Sequence, residues 1–274
     1  MDYEISHDEV KMSRFQCSFQ SKALLTPTTI NVILPFPVFN VLSSDESLDD
    51  IYKPGSKFKT LYLLHGAFAD SNSWSLYTGV EEYAEQHGIA VVMPSVGNSF
   101  YADLLHGSAY WTYVSEELPR FVRSVFPLSD KREDNFVAGL SMGGYGAFKL
   151  ALNKPEQFAA GISLSGVLDI VAAMRNPIHS IFNVNEYFGG LDKLEGSYSD
   201  LFAQIQKLKG DGVAIPNLYM ACGLNDDLYE MNVKFRDFAN SNSVGLTYEE
   251  GPGGHTWEFR DQYIQRSLKW LVSE

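Results

Sequence analysis

Cysteine is almost missing from this chain: Cys17 and Cys222 are the only two, and they lie far apart in sequence. Two such thiols cannot build a disulfide-stapled framework, and they form none of the spacings of a metal site. They read as buried thiols, so a reducing, cytoplasmic setting is expected. No apolar run approaches membrane-spanning length. The N-terminus, Met1-Asp2-Tyr3-Glu4-Ile5-Ser6-His7-Asp8-Glu9, is acidic and lacks the basic-then-apolar layout of a signal peptide. Basic residues are scarce: 21 Lys and Arg face 34 Asp and Glu, a formal net charge of −13. That balance repels phosphates, which argues against nucleic acid or an anionic membrane as partner. It leaves a small-molecule substrate and a homo-oligomer open. Repeats, heptads and low-complexity tracts are absent as well.

The 274 residues, 45% of them hydrophobic and 14% aromatic, suffice for one large α/β domain or two small ones. Arg14–Gln20 and Thr29–Leu34 alternate in polarity and suggest an antiparallel pair at a sheet edge, closed by Pro35 and Pro37. Ser43–Asp50 reads as a solvated loop without the spacing of a calcium site. Continuous apolar strands are expected at Leu61–Leu64, Ile89–Met93, Phe136–Ala138, Phe158–Leu164 and Asn217–Ala221, and another strand at Val244–Tyr248. Helices are expected between them: Glu81–His87, a stretch from Tyr113 with Pro119 marking a start or kink, Tyr229–Asn240, and a last one carrying Ile264, Leu268 and Leu271. Buried strands alternating with helices predict a mostly parallel sheet covered on both faces. Residues 165–212 break the rhythm and are expected to form a small cap insertion over the C-terminal edge of that sheet.

Within this frame stands Gly139-Leu140-Ser141-Met142-Gly143-Gly144-Tyr145-Gly146. Gly-x-Ser-x-Gly after a strand and before a helix is the nucleophile elbow of α/β-hydrolases, which holds the serine on a sharp corner. By chance the pattern arises in roughly one chain of this length in ten, so the flanking residues must carry the assignment. They do: an apolar strand precedes it, and Gly144, Ala147 and Ala151 repeat at helical spacing until Lys154-Pro155 stops the helix. At a helix N-terminus, free N–H groups favour a developing oxyanion at Ser141.

A serine hydroxyl needs a base and an orienting carboxylate, which in this fold follow in the order Ser, Asp or Glu, His. Of the six histidines only His179 and His255 follow Ser141. His255 lies in Gly251-Pro252-Gly253-Gly254-His255-Thr256-Trp257, a glycine-rich loop able to return an imidazole over the elbow, whereas His7, His87 and His179 read as surface residues. The acid falls in Cys222-Gly223-Leu224-Asn225-Asp226-Asp227-Leu228, where spacing does not choose between Asp226 and Asp227; Asp169 is a weaker candidate, too close behind its strand. The oxyanion hole takes the backbone N–H of Met142 and one from the loop after Leu61–Leu64, for which Ala67 is the natural donor. Trp74, Phe100, Tyr101, Tyr110 and Trp111 fall in loops on the same side, and Trp74 and Trp111 are expected to bind substrate. No cofactor and no metal is required.

Several of these residues together resemble a known family. Leu63-Leu64-His65-Gly66, Trp74, Pro94–Tyr101, Glu116-Glu117-Leu118-Pro119 and Gly139–Ala147 are similar to the putative-esterase (esterase D-like) family, nearest in pattern to the tributyrin esterases of low-GC Gram-positive bacteria. The similarity runs from about Arg14 to the C-terminus. It implies an α/β-hydrolase fold and a serine carboxylesterase acting on short-chain acyl esters. Its Cys-Gly-x-x-Asp-x-Leu-Tyr pattern selects Asp226, its histidine with a Trp two places on matches His255 and Trp257, and it implies backbone donors at Ala67 and Met142. The segment Pro35–Lys57 is longer and more acidic than the family pattern, and Asn176–Leu191 carries no family motif. Because the family also includes feruloyl and acetyl-sugar esterases, S-formylglutathione hydrolases and mycolyl transferases, the resemblance does not fix the acyl group.

Overall fold

The computed structural model describes residues 13–35, 47, 49, 55–176 and 182–273. The expected loop Ser43–Asp50 lies largely outside these residues, as do His7 and His179.

Among the described residues two antiparallel strands come first, β1 (Ser13–Ser21) and β2 (Thr26–Leu34), with Cys17 opposite Ile30. Six more follow: β3 (Lys59–Leu64), β4 (Ile89–Pro94), β5 (Asn135–Leu140), β6 (Ala160–Leu164), β7 (Asn217–Gly223) and β8 (Leu246–Gly251). They form one sheet in the order β1-β2-β4-β3-β5-β6-β7-β8, in which β3 to β8 are all parallel. Parallel neighbours need crossovers, and the helices supply them on both faces.

Alternation along each strand sorts the side chains between two cores. Tyr62, Leu64, Val92, Val137 and Met220 point to one face; Leu61, Leu63, Val91, Ala138, Ile162 and Ala221 point to the other. Onto the second face pack α1 (Ser73–Tyr77) and α2 (Val80–Gln86), with the C-terminal helix described below. On the first lies α3 (Leu118–Val125), which follows a π-helical turn at Tyr113–Glu117. Pro119 explains that turn: it has no N–H to give, and the Leu118 N–H reaches five residues back to the Tyr113 carbonyl. The Glu117 carboxylate on this turn accepts from Ser21 Oγ and from the Lys22 and Ala23 N–H groups, tying the β1–β2 hairpin to the body.

Helix α4 (Met142–Asn153) runs beneath the first face and is buried along nearly its whole length. Between β6 and β7 come α5 (Ile170–Arg175), α6 (Val184–Phe188), α7 (Leu191–Leu194) and α8 (Leu201–Gly210). The last of these packs against α4 through Leu201, Ile205 and Leu208, with Asp200 accepting from the Phe202 and Ala203 N–H groups as N-cap. It is thus the ordinary crossover helix between two parallel strands, although it falls within the expected insertion 165–212. Its weak apolar periodicity hid it, since one of the four buried positions, Leu201, Gln204, Ile205 and Leu208, is a glutamine. Two helices complete the chain, α9 (Tyr229–Ser241) and α10 (Trp257–Ser273). The second buries Phe259, Tyr263, Ile264, Leu268 and Leu271 against the sheet, each worth about 1.5–3 kcal/mol.

The C-terminal ends of β3, β5, β6, β7 and β8 lie along one edge, with Gly139 level with Leu64 and Gly223 level with Gly251. Every loop leaving that edge enters the same space.

Candidate active site

Ser141 is the first residue beyond β5. Its backbone stands at φ 55°, ψ −119°, a strained conformation for a residue with a side chain. Neighbouring atoms enforce it. A Cβ on residue 139 would lie 2.2 Å from the Gly143 carbonyl oxygen, and one on residue 143 would lie 2.4 Å from that of Leu64. The two glycines therefore let the strand-to-helix corner fold back on itself, and the corner pushes the Ser141 side chain outward. The Ser141 N–H donates to Leu164 O at 2.9 Å, while its carbonyl accepts from Tyr145 and Val167, so both flanks are pinned.

His255 arrives from the loop after β8. Its Nε2 lies 3.0 Å from Ser141 Oγ, and its Nδ1 lies 3.1 and 3.0 Å from the two carboxylate oxygens of Asp226. A carboxylate only accepts, so Nδ1 carries the proton and Nε2 is left to receive the serine hydroxyl. Two backbone bonds join the acid loop to the histidine loop: Leu224 N–H to Gly251 O and Asn225 N–H to Gly253 O, both 2.9 Å. Asp226 is 5% exposed and also accepts from the Leu228 N–H at 2.9 Å. Burial pushes its carboxyl up. The His255 hydrogen bond and charge, the Leu228 N–H and the neighbouring Ser165 hydroxyl outweigh that and hold it below the ordinary carboxylate value. Asp227, its neighbour in sequence, is exposed and turns to the cavity mouth. Asp169 is occupied elsewhere, capping α5 through Ala172 N–H and pairing with Lys234. Burial pushes the Cys222 thiol up to about 12, so it offers no competing nucleophile.

Behind Ser141 the loop after β3 is held by His65, which is 1% exposed. Its Nδ1–H donates to Gly66 O at 2.7 Å and its Nε2 accepts from Val96 N–H at 3.0 Å. Burial pulls its pKa down, so it stays neutral. Tyr101 OH donates to His65 O at 2.8 Å, and Lys149 Nζ donates to Tyr101 O at 2.9 Å. Lys149 is itself fully buried, and burial pulls its ammonium down to about 7. These struts hold the loop that carries Gly66 and Ala67, which line the same cavity as Met142. Positive φ at Phe68, Phe100, Tyr101 and Ser165 adds to that at Ser141, which concentrates backbone strain around this one edge of the sheet.

A cavity of about 540 Å³ opens over Ser141 and His255 and is lined by Ala67 and Met142 among others. One wall is apolar, with Phe100, Val167, Met174 and Phe182; Phe100 meets Phe182 edge-on at 4.9 Å. Another is mixed, with Tyr77 stacked on Trp257 at 4.9 Å and Arg260 over the same indole at 5.3 Å. The two tryptophans expected to bind substrate are not part of it, which corrects that expectation. Trp74 is 1% exposed, donates Nε1–H to Leu64 O and packs edge-on beneath Trp257, so it supports the wall from behind. Trp111 covers the Lys149 ammonium at 5.0 Å beside Tyr198, away from the cavity. Both sit in loops on the correct side of the sheet, but the direction of a ring depends on packing that a loop position does not encode. Tyr77, Met174, Phe182 and Arg260 line the cavity without a motif to announce them.

Comparison with known proteins places the chain. A model of the putative esterase family matches residues 47–268. The chain belongs to that family. It is 37% identical over 276 residues to an acetyl esterase of Caldicellulosiruptor saccharolyticus, covering 95% of this chain and 98% of the relative. Among solved structures it is similar to the fluorophosphonate-binding serine hydrolase F of Staphylococcus aureus, with a TM-score of 0.85 and 33% identity over 97% of this chain and 100% of that one. The S-formylglutathione hydrolase of the same organism superposes with a TM-score of 0.81 and 34% identity over 95% and 99%. The esterase is therefore a serine carboxylic ester hydrolase with the α/β-hydrolase fold. No helix among the described residues is long and apolar enough to cross a membrane.

Proposed function

We propose that this esterase hydrolyses short-chain acyl esters through an acyl-enzyme on Ser141, with His255 as base and Asp226 as its orienting acid. The observation that carries this reading is the unbroken line from Asp226 through His255 to Ser141, each step within 3.0–3.1 Å, at the floor of a cavity. His255 Nε2 takes the hydroxyl proton as Oγ bonds to the ester carbonyl carbon. The resulting oxyanion is held by the N–H groups of Ala67 and Met142, each such donor typically worth about 2.7–4 kcal/mol of barrier. As the carbon–oxygen bond to the alcohol breaks, His255 passes its proton to the leaving oxygen. Water then attacks the acyl carbon in the same way, giving its proton to His255, which returns it to Oγ as the acid leaves. Asp226 keeps the proton of the imidazole on Nδ1 throughout.

The apolar wall of Phe100, Val167, Met174 and Phe182 suits a short aliphatic acyl chain, and on this reading the part of 165–212 that carries Val167, Met174 and Phe182 acts as a small cap within a single domain. A feruloyl reading would gain from a slot built on Trp74 or Trp111, and neither ring borders the cavity. The tributyrin-esterase likeness and a cytoplasmic, bacterial setting belong to this reading, to which the free thiols of Cys17 and Cys222 are suited. A p-nitrophenyl ester series from acetyl to dodecanoyl tests it: turnover peaks at two to four carbons, and Ser141→Ala loses at least ~1000-fold while circular dichroism is retained. Undiminished turnover in that variant, or a fluorophosphonate adduct on another residue, defeats the assignment.

A further inference from the structure

Among the described residues, Arg260 is the one permanent cation that lines the cavity, in the first turn of α10. It is 6% exposed, and its Nε is sealed from solvent without a hydrogen-bond partner. Its guanidinium hydrogen-bonds to none of the described residues and forms no ion pair with them, and it lies over the Trp257 ring, 5.3 Å from the centroid. The two carboxylates close enough to be felt are Asp226, already engaged by His255 and Leu228, and Glu258, on the exposed face of the helix. A guanidinium keeps its charge at any working pH and presents donors in a fork that fits a carboxylate. Burying such a charge unpaired is costly. A fold tolerates it where an arriving anion completes the site.

Position decides which part of the substrate carries that anion. His255 must face the leaving oxygen to protonate it, and Trp257 and Arg260 follow His255 on the same loop-helix unit. The acyl chain has the apolar wall formed by Phe100, Val167, Met174 and Phe182. We infer that Arg260 selects esters whose leaving alcohol, phenol or thiol bears a carboxylate, an assignment that rests on Ser141 being the nucleophile. Long-range steering does not supply this preference, because the net charge of −13 repels anions. It arises in the cavity by contact.

Two matched pairs test it. The first puts the charge on the leaving group, 4-acetoxybenzoate against the neutral 4-acetoxybenzamide. The second puts it on the acyl group, monomethyl glutarate against methyl glutaramate. The expected kcat/KM ratio, charged over neutral, is about 10 or more for the first pair and near one for the second. Arg260→Met collapses the first ratio to about one or below, and Arg260→Lys keeps part of it; a merely structural arginine would leave the ratio unmoved. A wild-type ratio near one, an unchanged ratio in Arg260→Met, or a preference confined to the acyl-side pair overturns the inference. Competition by 4-hydroxybenzoate and 4-hydroxybenzamide for the wild-type cavity, read as thermal shift, needs neither a variant nor turnover. Tighter binding of the carboxylate supports Arg260 even if both esters resist hydrolysis, in which case it is the Ser141 reading that fails; equal binding overturns the inference.

Discussion

The loops after β3 and β8 each deliver a histidine to the Ser141 corner, in the same tautomer and for opposite ends. In both, an oxygen acceptor fixes the proton on Nδ1: Gly66 O for His65 and the Asp226 carboxylate for His255. The difference lies at Nε2. For His65 it is consumed by the Val96 N–H, deep in the protein; for His255 it faces a hydroxyl at the floor of an open cavity. A nitrogen with a permanent backbone donor is a strut. A nitrogen facing a mobile proton is, on the proposed mechanism, the base. The chemistry of an imidazole here is set by what its second nitrogen meets.

The comparison breaks most visibly at the open histidine. His255→Ala is expected to lower kcat on the order of 10⁶-fold with little change in melting temperature, since the side chain is only partly covered. Asp226→Asn should cost on the order of 10⁴-fold by permitting the wrong tautomer, while Asp227→Asn changes kcat by no more than about 2-fold. Equal losses in the two Asn variants would dissolve the distinction drawn between adjacent carboxylates. At the sealed histidine the order of effects reverses. His65→Ala leaves Val96 N–H and Gly66 O without partners and opens a cavity, so chemical denaturation should show a loss of about 2–4 kcal/mol. The folded fraction should retain activity reduced on the order of 10-fold as Ala67 loosens.

The smallest effect concerns pH. Burial lowers the folded pKa of His65 below its ordinary 6.5, so below pH 6.5 the unfolded chain binds the proton more readily than the folded one. The stability that neutral His65 allows is present in full above the unfolded value and is lost as pH falls through the folded one. Melting temperature should therefore drop between pH 7.5 and 5 by more in the wild type than in His65→Gln. Parallel profiles would remove His65 from the account.

The elbow was readable because its constraint is local. Gly139 and Gly143 are required by atoms of their own turn and of the adjoining β3, and a strand-turn-helix sequence leaves few other ways to place Ser141. The alternating and continuous apolar runs likewise located the eight strands of the described residues to within a few residues, and Pro119 marked the irregular turn before α3. Helix α8 escaped because Gln204 interrupts its apolar stripe, and Trp74 and Trp111 were misplaced because a loop position does not fix the direction of a ring.

By itself, then, the sequence determined the sheet and the Ser141 corner, since short-range sterics and hydrophobic period act between neighbours in the chain; spacing left Asp226 and Asp227 open, and the family pattern chose between them. Tertiary structure alone decided which aromatic rings face the cavity, which histidine is sealed, and that Arg260 is buried at the cavity wall without a partner. Those outcomes depend on contacts among Tyr77, Phe100, Phe182 and Trp257, residues drawn from two separate loops and two helix ends, which meet only when the sheet has closed its crossovers.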